Sequence, residues 1–303
     1  MIYSEWLHEW LKDRKNYIKE STYANYGTLI HLYIVPAMGG LQVSDIDEQL
    51  VQQKVLHWVH ANGLSCSTVR NVVMVIKSSL RAAQKNKLAP MQIIDVSYPK
   101  TYKETSRKVL SKSDQSKLVQ YAYLNLTSKS AGILLALSTG MRIGELCGLR
   151  WSDIDFSNQT ISVQRTVQRI CSPDGKSRTK IIISEPKTIS SRRTVPLSTS
   201  ILPVLHKLNM SNDGYILTNH DRPIEPRMYR EYFNSLLRKT GVNHVNFHSL
   251  RHTFATRLIE NGADYKTVST ILGHSSINMT LNLYVHPQLS HQRNAIELFS
   301  LLV

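Results

Sequence analysis

The chain has 303 residues, 42% apolar and 19% charged, which is enough for one large or two ordinary domains and too apolar for a disordered, solvated polymer. No stretch approaches the roughly 18 uninterrupted apolar residues of a membrane span, and "MIYSEWLHEWLKDRK" at the N-terminus has acidic residues and Trp where a signal peptide would be basic, then apolar. Lys and Arg number 37 against 22 Asp and Glu, a net charge of +15, so a polyanionic partner is expected, with nucleic acid ahead of membrane because no basic amphipathic anchor helix stands out.

The basic excess is uneven. Residues 1–98 carry 10 basic and 8 acidic side chains, whereas 109–303 carry 23 and 13. Cys66, Cys147 and Cys171 are odd in number and far apart, so neither a disulfide frame nor a zinc ribbon follows, and a reducing compartment fits.

Taken in chain order, residues 1–98 read as four helices. Trp6, Leu7, Trp10 and Leu11 recur at helical spacing; a second helix opens on Ser21 and Thr22 and closes at Pro36 and Gly39; "DEQLVQQKVLHWVHANG" and "STVRNVVMVIKSSLRAAQKNK" follow the same pattern. His57 and His60 read as ordinary residues of an amphipathic face. Pro99, low apolar content and several lysines then break the periodicity, so residues 99–108 read as a basic linker, either a solvated loop or a strap along a phosphate backbone.

From 109 to 303 the character changes. Helices at about 113–125 and 128–139 lead into "STGMRIGELCGLRWSDID". "TISVQRTVQRI", "TKIIISEPKT" and "RRTVPLS" alternate and are rich in β-branched residues, which predicts a small antiparallel sheet. Helices resume at "LSTSILPVLHKLN", "PRMYREYFNSLLRKTG", "HSLRHTFATRLIENG", "DYKTVSTILGH", "SINMTLNLYV" and "QLSHQRNAIELFSLLV". The fold class expected is mainly α with a small antiparallel β-sheet.

His244, His248 and His252 stand four residues apart, as metal ligands on one helix face do, but Arg251 lies among them and no carboxylate follows His248 as in H-E-x-x-H. On a helix His248, Arg251 and His252 share one side, beside an apolar face of Leu250, Phe254 and Leu258. Near a helix start that polar side suits an anion, since free N–H groups and the macrodipole are positive there. Arg142, just past the Thr139–Gly140 turn, can join Arg251 on one phosphate as a second planar fork. Glu145, one turn on, is placed to orient Arg142 or to lie on the helix surface. His274, Tyr284 and Lys187 in its polar turn each have an ordinary structural reading when taken singly.

Together, Arg142 in "TGMRIGEL", Lys187 in "EPKT", "HSLRH" at 248–252, "LGHSS" around His274 and "LNLY" ending at Tyr284 resemble the ordered motif set of the tyrosine recombinase, or phage-integrase, family, in wording similar to integrases of bacterial phages and conjugative transposons. The resemblance implies a helical core-binding domain over 1–98 and a mixed α/β catalytic domain over 109–303 with a C-terminal oligomerisation helix. It implies the catalytic set Arg142, Lys187, His248, Arg251, His274 and the nucleophile Tyr284, with Glu145 and His252 in support. DNA contacts are expected from Lys100, Lys103, Arg107 and Lys108 of the linker and from Arg192 and Arg193. The activity implied is site-specific DNA recombination through a 3′-phosphotyrosine intermediate and a Holliday junction, integrating or excising a mobile element, with no cofactor and no metal. Implied partners are double-stranded DNA, three further copies in a homotetramer and an accessory excision or DNA-bending protein, in the bacterial cytoplasm at the nucleoid. Relaxation in the manner of a type IB topoisomerase and a non-cleaving DNA-binding regulator are the alternatives. Many such integrases carry a further N-terminal arm-binding domain, whereas this chain begins almost at once with the first core-binding helix, as a compact or a truncated protein would.

Overall fold

The computed structural model describes residues 1–99, 109–172, 179–185, 192–209, 213–274 and 276–281. The chain divides into two compact units, Met1–Thr105 with Ile170–Lys180, and Ser106–Arg169 with Ile181–Val303. Among the described residues no helix is long and apolar enough to cross a membrane.

The first unit is helical: α1 (Tyr3–Arg14), α2 (Glu20–Leu29), α3 (Val35–Met38), α4 (Glu48–His60) and α5 (Cys66–Lys85). The second expected helix opens at Glu20 after Lys19, with no Ser/Thr side-chain cap, and ends as expected at Gly39, the C-cap of α3. A π-helical turn at Ile30–Ile34 joins α2 to α3, and this wide turn carries the chain past Pro36, which has no N–H to donate, as far as Met38. Asp47 caps α4 by accepting from the Leu50 N–H at 2.8 Å, and Ser65 caps α5 through Thr68 N–H at 3.1 Å. The core is apolar: Leu7 and Trp10 of α1, Ile34, Val51 and Val55 of α4, and Val69, Val72, Ile76 and Leu80 of α5 are buried together. Its one buried polar residue among those described, Ser79, pairs with the Tyr3 hydroxyl at 2.8 Å, and its carbonyl accepts from Trp6 Nε1 at 3.0 Å.

The chain continues with α6 (Lys112–Leu124), α7 (Ser128–Thr139), α8 (Ile143–Cys147), β1 (Ile154–Asp155), β2 (Thr160–Val163), β3 (Thr166–Cys171), β4 (Thr179–Ser184), β5 (Arg193–Pro196), α9 (Leu202–Leu208), α10 (Pro226–Lys239), α11 (His248–Glu260), α12 (Tyr265–Leu272) and α13 (Asn278–Leu281), all in the second unit except residues 170–171 of β3 and 179–180 of β4. Helix α7, "SKSAGILLALST", is buried on nearly every face, the pattern of a central helix, and α6 and α11 pack against it. The single sheet expected from the alternation is two: a three-stranded antiparallel sheet ordered β1–β2–β5 and a separate pair, β3 with β4. Strand β5 closes on β2 in the register Ile161↔Val195 and Val163↔Arg193. Strand β2 ends at Val163 and β3 restarts at Thr166, and because Ile161, Val163 and Val167 keep one phase across the gap, only the pairing separates the two strands.

Candidate active site

The site is built around the end of one helix. Asp264 caps the start of α12 by accepting from Thr267 N–H at 2.9 Å, and Gly273 ends the helix in the left-handed region at φ +65°. There Gly273 N–H returns to Thr270 O and His274 N–H to Ser269 O, both at 3.0 Å. That closure satisfies the carbonyls of residues 269 and 270 and leaves those of Ile271, Leu272 and Gly273 facing outward as acceptors. Three arginines from three other elements take them in sequence. Arg193 Nε donates to Ile271 O at 2.6 Å, Arg251 Nη2 to Leu272 O at 2.8 Å, and Arg142 Nη2 reaches Gly273 O at 3.5 Å. A helix C-terminus, the negative end of the macrodipole, is a favourable seat for cations.

Each arginine arrives for a local reason. Arg142 sits at the N-cap of α8; its backbone N–H donates to Glu145 Oε2 at 2.9 Å and its Nη1 to Glu145 Oε1 at 2.8 Å. Arg251, on the second residue row of α11, is 2% exposed and also donates from Nη1 to Gly140 O at 2.8 Å. Gly140 is required at this place: its φ is +64°, and a Cβ there would lie 2.5 Å from Phe254 Cδ1 and 2.6 Å from Leu272 Cδ2. The "TG" turn before Arg142 therefore also presents a carbonyl to Arg251. Asn246 fixes the start of α11 by accepting from Ser249 N–H at 2.9 Å, and this sets His248 at the first helical position, exposed.

Arg193 departs from its expected place. Read as a DNA contact, it is buried instead, its side chain 6% exposed, with Nη1 and Nη2 on the two oxygens of Glu145 at 3.2 and 3.1 Å. The signal was in the strand alternation, since Arg193 shares a face of β5 with buried Val195. Arg192, one residue earlier, is on the opposite face, largely exposed and ion-paired to Glu185.

Glu145 is thus buried and receives four N–H donors, from Arg142 and Arg193. Burial alone would raise its carboxyl, but Arg193 and then Arg142 outweigh that and hold it below the ordinary carboxylate range. Burial, then Arg142 and Arg193, push the Arg251 guanidinium down to about 9, against a smaller opposing pull from Glu145, so it stays cationic at neutral pH. Three guanidinium groups against one carboxylate leave two positive charges in excess, a site made for an anion.

His274 follows directly on the arginine-bearing helix end. Its Nδ1 lies 2.8 Å from Thr280 Oγ1, and Thr280 is fully buried, so the ring presents Nε2. Burial first, then Arg251 and Arg142, depress His274 to about 4, which makes it a neutral imidazole at pH 7. Thr280 was not singled out by motif or spacing; only the folding of α13 back on His274 reveals it. His252 packs its ring edge-on to His248 with centroids 4.6 Å apart, while His244 is exposed and lies before the helix.

The structure therefore brings together Arg142, Glu145, Arg193, Arg251 and His274, with His248 and His252 along α11. Lys187, Tyr284, Lys100, Lys103, Arg107 and Lys108, together with the expected C-terminal oligomerisation segment, lie outside the described residues.

A cationic site that presents the part-exposed Arg142 beside a neutral His274, with no carboxylate left uncompensated, suits an anion such as a phosphate ester. The chain belongs to the phage integrase family: the family's model matches residues 108–291, and a phage integrase N-terminal SAM-like domain matches residues 2–59. It is a tyrosine recombinase, an enzyme of site-specific DNA recombination that cleaves and rejoins DNA strands. It is 31% identical to a XerC-like tyrosine recombinase of Caldanaerobacter subterraneus subsp. tengcongensis, over 96% of this chain and 81% of that one. It is 28% identical to the transposase of transposon Tn916 from Enterococcus faecalis, over 74% of this chain and 60% of the transposase. The fold is that of the Tn1549 transposon integrase solved with transposon right-end DNA, at a TM-score of 0.81 and 24% identity over 99% of this chain and all of that one. A lambda integrase dimer bound to a core site shares it at a TM-score of 0.66 and 20% identity, over 93% of this chain and 95% of that one.

Proposed function

We propose that this recombinase exchanges strands between two duplexes by transesterification, with Tyr284 as nucleophile. The Tyr284 oxygen attacks the scissile phosphorus, a phosphate–oxygen bond breaks, and the products are a 3′-phosphotyrosine and a free 5′-hydroxyl. Attack by the partner strand's hydroxyl reverses the step, and bond energy is conserved, so no nucleotide is consumed. Arg142 and Arg251 bind the non-bridging oxygens and stabilise the charge that grows on them in the pentacoordinate transition state. His248, at the start of α11, and His274, through Nε2, complete the ring of donors or take up the tyrosine proton. Lys187 protonates the leaving 5′-oxygen, a task for an ammonium because guanidinium gives up its proton only with difficulty.

The observation that carries this reading is the convergence of Arg142 and Arg251 on neighbouring carbonyls at the end of α12, with His274 next in the chain. Glu145 supports it by accepting from both the backbone N–H and the Nη1 of Arg142. The substrate is double-stranded DNA at two attachment sites, and the working assembly is a tetramer that passes through a Holliday junction, a reading supported by the structure of a lambda integrase tetramer bound to one. The natural setting is a mobile element, a reading supported by likeness to the Tn916 transposase.

The test is covalent trapping on nicked suicide duplexes drawn from the DNA that flanks the gene. Wild type gives a covalent protein–DNA adduct and Tyr284→Phe gives none. Absence of adduct with wild type, or an undiminished adduct with Tyr284→Phe, removes Tyr284 from the role.

A further inference from the structure

Arg193 belongs to the reaction although it lies behind the groups that touch DNA. We infer that Arg193 is a positioning residue for strand cleavage, acting through Glu145 and the end of α12 to set the geometry of Arg142 and Arg251; the inference rests on the roles given to those two arginines above.

The geometry is specific. The guanidinium of Arg193 joins three parts of the unit: its own strand β5, the end of α12 through Ile271 O, and α8 through both oxygens of Glu145. A planar fork with five N–H donors spans these acceptors, where a single ammonium does not. Glu145 in turn holds Arg142 by backbone and side chain, and Ile271 precedes Leu272, whose carbonyl holds Arg251. Displacing Arg193 therefore releases one side of the Glu145 carboxylate and one carbonyl of the row that seats Arg251.

The electrostatic consequence has a definite sign. Without Arg193, Glu145 is left to Arg142 alone, pairs with it more tightly, and draws the guanidinium toward the protein and away from a phosphate. The net charge at the site falls by one at the same time. Both effects weaken transition-state stabilisation more than ground-state DNA binding, because the scissile phosphate gains charge only as the reaction proceeds. The side chain is 6% exposed, so a direct backbone contact with DNA is not its means of action.

The experiment uses the full chain and the suicide duplexes described above, comparing wild type, Arg193→Gln, Arg193→Lys, Glu145→Gln and the Arg193→Gln/Glu145→Gln double variant. Two quantities are read for each: the single-turnover adduct rate at saturating DNA, and the DNA Kd as a function of salt. Misplacement of a reacting geometry by about 1 Å costs on the order of 100-fold in rate, and that loss is expected for Arg193→Gln. The expected salt slope is unchanged, whereas loss of a phosphate contact lowers it by about one. The double variant is expected to lose no more than the worse single one, since the two residues act as one unit.

A wild-type saturating rate in Arg193→Gln, a loss that appears only in Kd with a lowered salt slope, or additive losses in the double variant would overturn the inference. Where Arg193→Gln does not fold, Arg193→Lys decides: it keeps the charge but not the fork, a loss of about 10-fold is expected, and a wild-type rate refutes the idea. Failure of the chemistry itself is distinct, because wild type then forms no adduct at all.

Discussion

The two units solve the problem of stability in different ways. Among the described residues the helical unit buries a single polar side chain, Ser79, whereas the larger unit buries nine, including Glu145, Asp153 and Arg251. The first is held by Val, Ile, Leu and Trp at helical spacing, which contribute by removal from water and need no particular partner. The second keeps charged groups in its interior, where each is tolerated only because specific donors and acceptors meet it. A unit that stores fixed charge in this way is tuned to receive an anion at one place; the apolar unit carries no such constraint.

The contrast is broken most sharply at Glu145. Glu145→Gln leaves the buried Arg193 guanidinium and the part-exposed Arg142 guanidinium short of their counter-ion, and removal of one partner of a buried pair typically costs about 3–5 kcal/mol; chemical denaturation is expected to register that loss, and an isosteric change worth under 1 kcal/mol would mean the network is not the stabilising element. Arg251→Lys keeps the charge but cannot bridge Gly140 O and Leu272 O together, so the adduct rate is expected to fall by roughly 100- to 1,000-fold, read at saturating DNA. Gly140→Ala forces a side chain into the left-handed region and against Phe254 and Leu272; a destabilisation of about 2 kcal/mol with slower cleavage is expected, and a neutral thermal shift would contradict the packing.

Against these, Ile76→Val in the helical unit removes one buried methylene-sized group and is expected to cost about 1 kcal/mol, with the saturating adduct rate unaltered. A further effect concerns pH. The His274 imidazole is depressed to about 4 in the folded chain, against an unfolded value of about 6.5, so between these values the unfolded state binds more protons and stability falls as pH drops. His274→Gln is expected to flatten the decline of Tm between pH 6.5 and 4; an equally steep decline in the variant would place the depressed group elsewhere.

Much of this was legible beforehand. The N-terminal helices follow from their 3.6-residue pattern; the second starts at Glu20 rather than on a Ser/Thr cap and reaches its expected end at Gly39 through a π-helical turn. Arg142, His248 and Arg251 are legible as an anion site from their places at helix starts, whereas His274 stands out only through the ordered motif set. The rest is relational: one sheet divides into two because pairing is not encoded in alternation, and Arg193 reads as a surface cation until β5 closes on β2. Thr280 carried no signal at all, since a buried threonine and an exposed one look the same in sequence.

The sequence by itself determined the helical unit, the ordered motif set and the basic balance, because periodicity and residue type are local properties of the chain. Only the tertiary structure decided that Arg142, Arg193 and Arg251 share the three carbonyls at the end of α12 and that one carboxylate serves two of them. The physical reason is distance along the chain: residues 142, 193, 251 and 271–274 meet through the packing of a core, and a cation's role is set by which acceptors the fold places within its reach.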